Sequence, residues 1–219
     1  MMVYLCVEGR SDCDALKAAL GPYIERCRPT GWGIRPIRMK NKVGLLSKIG
    51  EYANARLSSE DNSHVIAMPD LYPTHGLGDE YDHSSYEHLQ ALLTNLVGVA
   101  TRRHPELMRR FHPFPFCYDM EVLLLALPAR LRTYLRTPDN IQNTYTHPAE
   151  KQDDQHPPKY VVSDLFRTKH HKKIAYKDTA HAPAILRGVS PAELKNPREL
   201  PNFTRFLETL EQITGVLIQ

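Results

Sequence analysis

The chain has no apolar run approaching the roughly 20 residues that cross a bilayer as a helix, so no membrane-spanning helix is expected. No basic segment precedes its short N-terminal apolar run, and a signal peptide is not expected either. Cysteine is sparse: Cys6, Cys13, Cys27 and Cys117, with no C-x-x-C pair, which fits reduced, buried thiols in a cytosolic protein. There is no G-x-x-x-x-G-K-[ST] run, so the chain has no P-loop for ATP. Ser11, Ser84 and Ser85 lack the G-x-S-x-G context of a hydrolase nucleophile. His170 and His171 are adjacent, without the i,i+4 spacing of a helical metal pair or any cysteine partner, which argues against zinc. No internal repeat is visible. The net charge of +3 is too small to imply nucleic acid by itself, so the placement of charge matters more.

What is present is an ordinary globular balance, 42% hydrophobic and 24% charged, which excludes wholesale disorder. A length of 219 residues suits one domain, or one with an appended lobe, around a sizeable core. Residues 3–12, VYLCVEGRSD, organise the rest. Val3 to Val7 is a continuous run of β-formers, the pattern of a strand buried on both faces. It ends at Glu8-Gly9, and Ser11 with Asp14 forms a capping signature before a helical pattern running to Ile24.

Further strands are expected at residues 33–39, shortened by Pro36, at 64–68 and at 111–117. Helices are expected over 43–57, from Ser84 to about Arg103, from Asp119, over 128–135, 159–168 and 201–213. Residues 71–83 read as a loop, and 137–158 as a loop or partly disordered linker. The expected fold is α/β: a mostly parallel sheet flanked by helices over 1–136, then a helical section over 159–219 that completes the same domain.

Three acidic stations fall at the C-terminal ends of separate expected strands: Glu8 with Asp12, then Asp70, then Asp119 with Glu121. That edge is where open α/β sheets bind ligands. Each acid taken singly reads as a helix cap or a surface charge, and Asp12 and Asp14 suit a helix dipole. Gathered together, they repel unless something positive lies among them. Oxygen-only ligands suit Mg²⁺ or Mn²⁺, and such ions can activate water against a phosphodiester. The run Arg167 to Lys173, with Arg167, Lys169, Lys172 and Lys173, offers a grip for a phosphate backbone or, more plainly, a solvated helix end.

Glu8-Gly9-x-x-Asp12 after one apolar strand and Met68-Pro69-Asp70-Leu71-Tyr72 after another resemble the Toprim domain of topoisomerases, primases and overcoming-lysogenization-defect nucleases. Tyr118 to Leu124 is similar to the acidic helix start of small stand-alone Toprim proteins, often encoded beside ABC- or SMC-type ATPases in bacterial defence loci. Pro157-Pro158-Lys159, Ala175-Tyr176-Lys177 and Asn202-Phe203-x-x-Phe206-Leu207 extend the resemblance along nearly the whole chain. The resemblance implies a Rossmann-like Toprim fold and a Mg²⁺-dependent nuclease acting on DNA or RNA. Glu8, Asp12, Asp70, Asp119 and Glu121 would hold metal, Glu8 or the metal's water would handle protons, and Lys177 would meet transition-state charge. An ATPase would be the partner. Tyr72 stands where the family's D-x-D motif has its second acid, which costs one ligand unless Asp119 and Glu121 replace it. The rival readings are a non-catalytic adaptor in an ATPase complex and a phosphoryl-transfer enzyme acting on nucleotides.

Overall fold

The computed structural model describes all 219 residues. Its first half alternates as the hydrophobic pattern dictates: β1 (Met2–Val7), α1 (Arg10–Cys27), β2 (Gly33–Arg38), α2 (Lys42–Ser59), β3 (Ser63–Met68), α3 (Tyr86–Ala100), α4 (Pro105–Met108) and β4 (Phe111–Pro113). The four strands form one all-parallel sheet in the order β2-β1-β3-β4. β1 is central, with Val7 paired to Arg38 on one side and to Met68 on the other. Because β2 lies to one side of β1 and β3 to the other, the chain reverses its direction across the sheet there. The crevice beyond the carboxyl ends of β1 and β3 is therefore a topological switch point. Pro36 is tolerated because β2 is an edge strand with one neighbour.

Both sheet faces are covered, so β1 is apolar throughout. Val3, Leu5 and Val7 join one core with α1 and the C-terminal helices, while Tyr4 and Cys6 join the other with α2 and α3. The second half comprises α5 (Val122–Leu125), α6 (Pro128–Leu135), α7 (Pro158–Thr168), α8 (Asp178–Leu186), α9 (Pro191–Leu194) and α10 (Pro201–Thr214). These helices share the α1 side of the core, through Leu131, Phe166, Leu186, Phe206 and Leu210 among others. α8 and α9 have no clear apolar period in the sequence, and Pro183 sits inside α8. α8 exists because it packs along α1. All four cysteines are buried and unpaired. No helix is long and apolar enough to cross a membrane.

Four local expectations change. β4 ends at Pro113 instead of Cys117, and the helix expected from Asp119 is the single turn Val122–Leu125, preceded by Glu121 as its N-cap. α1 begins one residue before Ser11, with Gly9 as its extended N-cap. The Asp12 carboxylate, not Asp14, reaches back to accept the Gly9 N–H at 2.8 Å, while Asp14 pairs with Arg10 and Lys17 at the surface. Residues 137–158 are irregular but packed. They contain two short 3-10 turns and bury Ile141, Ala149, Glu150 and Gln152. Glu150 explains why: its carboxylate accepts the backbone N–H groups of Asn202 and Phe203 at 2.9 and 3.0 Å, capping the first turn of α10.

Candidate active site at the sheet edge

Glu8 follows β1 directly and Asp70 lies two residues beyond β3, so parallel register puts the two acids side by side at the switch point. They are joined there: the Asp70 backbone N–H donates to Glu8 Oε1 at 2.9 Å. Beyond β4 the chain keeps pairing with β3 in irregular form. Phe116 N–H donates to the Pro69 carbonyl, Leu71 N–H to Phe116, and Tyr72 N–H to Tyr118 at 3.0 Å. Tyr118 then takes a left-handed conformation, φ 72°, uncommon for a residue with a side chain. That turn sets Asp119 next to the position occupied by Tyr72.

Asp119 and Glu121 are both buried. Asp119 Oδ1 accepts the Glu121 N–H at 3.1 Å, and Oδ2 accepts the Lys159 N–H at 3.1 Å, in the first turn of α7. Glu121 Oε1 accepts the Tyr176 hydroxyl at 3.0 Å. Asp12 is buried as well, its oxygens engaged by the Gly9 N–H and the Ser11 hydroxyl. The helix-cap reading of Asp12 therefore describes real bonds, although its charge is also felt by Glu8 and Asp70.

All five carboxyls are pushed toward the neutral form. Burial raises Glu8 to about 7, with the Asp70 N–H, Lys42 and Lys159 opposing the rise. Asp70 keeps some residue exposure, yet its carboxyl is enclosed. Burial, then repulsion from Glu8, Asp12, Asp119 and Glu121, holds its pKa well above the usual range. Burial and the Glu121 charge do the same to Asp119, and burial raises Asp12 and Glu121. The sheet therefore gathers all three predicted stations into one electrostatic unit. The donor set is oxygen-only, as hard divalent cations require. No three side chains converge tightly enough to enclose an ion in this arrangement. Mg²⁺ characteristically takes one or two carboxylates and keeps its waters, so the pairs Glu8–Asp70 and Asp119–Glu121 fit that mode.

Two lysines offset the charge, and sequence reasoning gave neither a role in the site. Lys42, at the first position of α2, is buried, and its Nζ donates to the Leu71 and Pro73 carbonyls at 2.7 Å each. Burial lowers it to about 8 while Glu8 and Asp70 hold its charge in place. Lys159, in the first turn of α7, pairs with Asp178 at 2.7 Å. Burial works against its charge, but the Asp178 bond and Glu121 and Asp119 outweigh it and the pKa rises. One signal was available: a lysine opening a helix opposes the helix dipole and so needs another reason to be there. Lys177 is exposed instead, and its backbone N–H caps onto His181 Nδ1 at 2.9 Å.

The basic run divides. Arg167 pairs with Asp164 and Lys169 with Asp139, His170 is buried, and Lys172 and Lys173 are exposed with no ion-pair partner. The class so defined is an α/β protein with a Rossmann-like parallel sheet and a carboxylate cluster at its topological switch point. The chain belongs to the DUF4276 family, described as a domain of unknown function, whose profile matches residues 7–211. No curated protein and no solved structure matches it.

Proposed function

We propose that this chain is a Toprim-type phosphodiesterase that hydrolyses nucleic acid with Mg²⁺ or Mn²⁺. The observation that carries the reading is the meeting of Glu8, Asp70, Asp119 and Glu121 at the switch point, with Asp119 delivered beside Tyr72. Burial raises all four acids, which is costly as bare structure, and a divalent cation held by one or two of them with its waters offsets that cost. When bound, the metal supplies an activated water and charge stabilisation at the phosphate.

The protein's own groups do the rest. Glu8 accepts one hydrogen bond, from the Asp70 N–H on Oε1, which leaves Oε2 free to orient water or take its proton. The Asp70 N–H and the Tyr176 hydroxyl fix Glu8 and Glu121 in place. Lys159, whose charge is felt by Glu8, Asp12 and Glu121, meets phosphate charge, with Lys177 at the rim. Lys172 and Lys173 extend positive charge along the exposed approach, and Arg167 and Lys169 join them on release from Asp164 and Asp139. Water adds to phosphorus, the ester oxygen leaves, and that oxygen takes a proton from solvent or Glu8. The resemblance to Toprim proteins encoded beside ATPases supports a gating ATPase as partner in anti-phage defence.

The test is cleavage of plasmid DNA, single-stranded DNA and tRNA by purified protein with Mg²⁺, Mn²⁺ or EDTA, beside Glu8→Ala. Metal-dependent cleavage that the variant loses supports the reading. No cleavage of any substrate, alone or with a partner ATPase, overturns it and leaves the adaptor.

A further inference from the structure

A cleft of about 420 Å³ lies between one face of α7 and the chain that returns through residues 173–176. That volume is within the range of small-ligand sites, roughly 300–1,000 Å³. Tyr160, Ser163, Asp164 and Arg167 recur at i, i+3, i+4 and i+7, so they form one stripe of α7 opposite its buried residues Val161, Val162, Leu165 and Phe166. Tyr176 is the facing wall. Its hydroxyl is the one bonded to Glu121, so the cleft and the carboxylate cluster share a residue. α7 is tied to the same cluster at its other side, through the Lys159 N–H on Asp119.

The two ends differ chemically. The end at the cluster carries Tyr160, 56% exposed and touching His156 edge-on, and the ring of Tyr176. Seven residues along the helix, roughly 10 Å away, stand Arg167 and Lys173. Lys173 adopts φ 47°, a left-handed turn that sends the chain back along the cleft. Between the ends, the Ser163 hydroxyl, which donates to the Lys159 carbonyl at 2.7 Å, offers its acceptor lone pairs, and Asp164 offers the carboxylate oxygen left over from its pair with Arg167.

Aromatic surface, short polar groups and then cations match a base, its edge and a phosphate. A paired base is stacked within its duplex and cannot enter such a cleft; an unpaired base can. We propose that this cleft is a nucleotide subsite, seating one unpaired nucleotide of a single-stranded substrate beside the carboxylate cluster. The base lies on Tyr160 and Tyr176, Ser163 and Asp164 meet its edge, and the distal phosphate meets Arg167 and Lys173. The proposal rests on the phosphodiesterase reading for its role, while the binding itself can be measured apart from cleavage.

The experiment is fluorescence anisotropy of a labelled mixed-sequence single-stranded DNA and of the same sequence as a duplex, both in EDTA. Tyr160→Ala and Lys173→Ala are compared with Tyr160→Phe and with Lys48→Ala, which lies in a separate cleft with Arg38 and Tyr52. Tyr160 and Lys173 are exposed, so the substitutions leave the fold intact. Loss of one stacked base corresponds to about a tenfold weakening. The expected result is such a loss for Tyr160→Ala and a severalfold loss for Lys173→Ala, with Tyr160→Phe and Lys48→Ala near wild type and the duplex bound more weakly. Absent binding, equal binding by all variants, or a duplex bound as tightly as the single strand overturns the subsite. Cleavage that is metal-dependent yet indifferent to Tyr160 removes the subsite and keeps the phosphodiesterase. Cleft-dependent binding with no cleavage in any metal keeps the subsite and removes the phosphodiesterase.

Discussion

Lys42 and His83, both buried, stand 3.2 Å apart across the loop between β3 and α3. His83 Nδ1 lies 2.9 Å from the Tyr81 carbonyl, and Nε2 lies between Lys42 Nζ and the Leu71 carbonyl, 2.9 Å from the latter. The Lys42 ammonium donates to the carbonyls of Leu71 and Pro73 at 2.7 Å each. Replacing the ammonium takes the donor from the Pro73 carbonyl and one of the two polar neighbours from the Leu71 carbonyl. Lys42→Met is expected to lose about 3 kcal/mol in urea denaturation and to expose residues 71–83 to limited proteolysis. An unchanged midpoint would mean that the loop is held elsewhere.

Glu150 caps α10 from 52 residues away in sequence, with two backbone N–H groups on one carboxylate. Glu150→Ala removes both acceptors from a buried helix end. The expected loss is about 2 kcal/mol by chemical denaturation. Glu51→Ala, on the exposed side of α2, is expected to change little.

His112 is part-buried against His64, with ring nitrogens 3.1 Å apart. Burial, then the His64 charge, lowers its pKa from 6.5 to about 4. The unfolded chain therefore takes up a proton that the folded protein refuses. Stability is full above about 6.5 and is lost as the pH falls toward 4, by about 3 kcal/mol across the whole window. Denaturation midpoints at pH 7 and pH 5 check this: His112→Phe is expected to lose less between them than wild type. Equal losses would assign the acid sensitivity to other groups.

Divalent cation binding stabilises whichever state holds it. Millimolar Mn²⁺ is expected to raise the melting temperature by several degrees, EDTA to reverse the gain, and Asp119→Asn to abolish it. A wild-type protein indifferent to Mn²⁺, Mg²⁺ and EDTA would argue that the carboxylates share protons instead of a metal.

The sequence by itself determined the α/β layout and the three acidic stations. Val3 to Val7 has no polar residue to give to solvent, so it had to be a strand covered on both faces. An acid placed just after such a strand must emerge at its carboxyl end. Local pattern carries that much because strand and helix periods are written in neighbouring residues. The start of α1 was misplaced by the same local rules, since both Ser11-x-x-Asp14 and Gly9-x-x-Asp12 are plausible caps and only packing chooses between them.

Only the tertiary structure decided the rest. Strand order put Glu8 beside Asp70, and continued pairing past β4 brought Asp119 to Tyr72. Lys42 and Lys159 became the counter-charges of the carboxylate cluster, and α8 formed against α1 without an apolar period of its own. Glu150 caps a helix that begins half a hundred residues later. Each of these rests on contacts between residues distant in the chain, and no local propensity encodes which distant partner a buried charge or an open helix end will find.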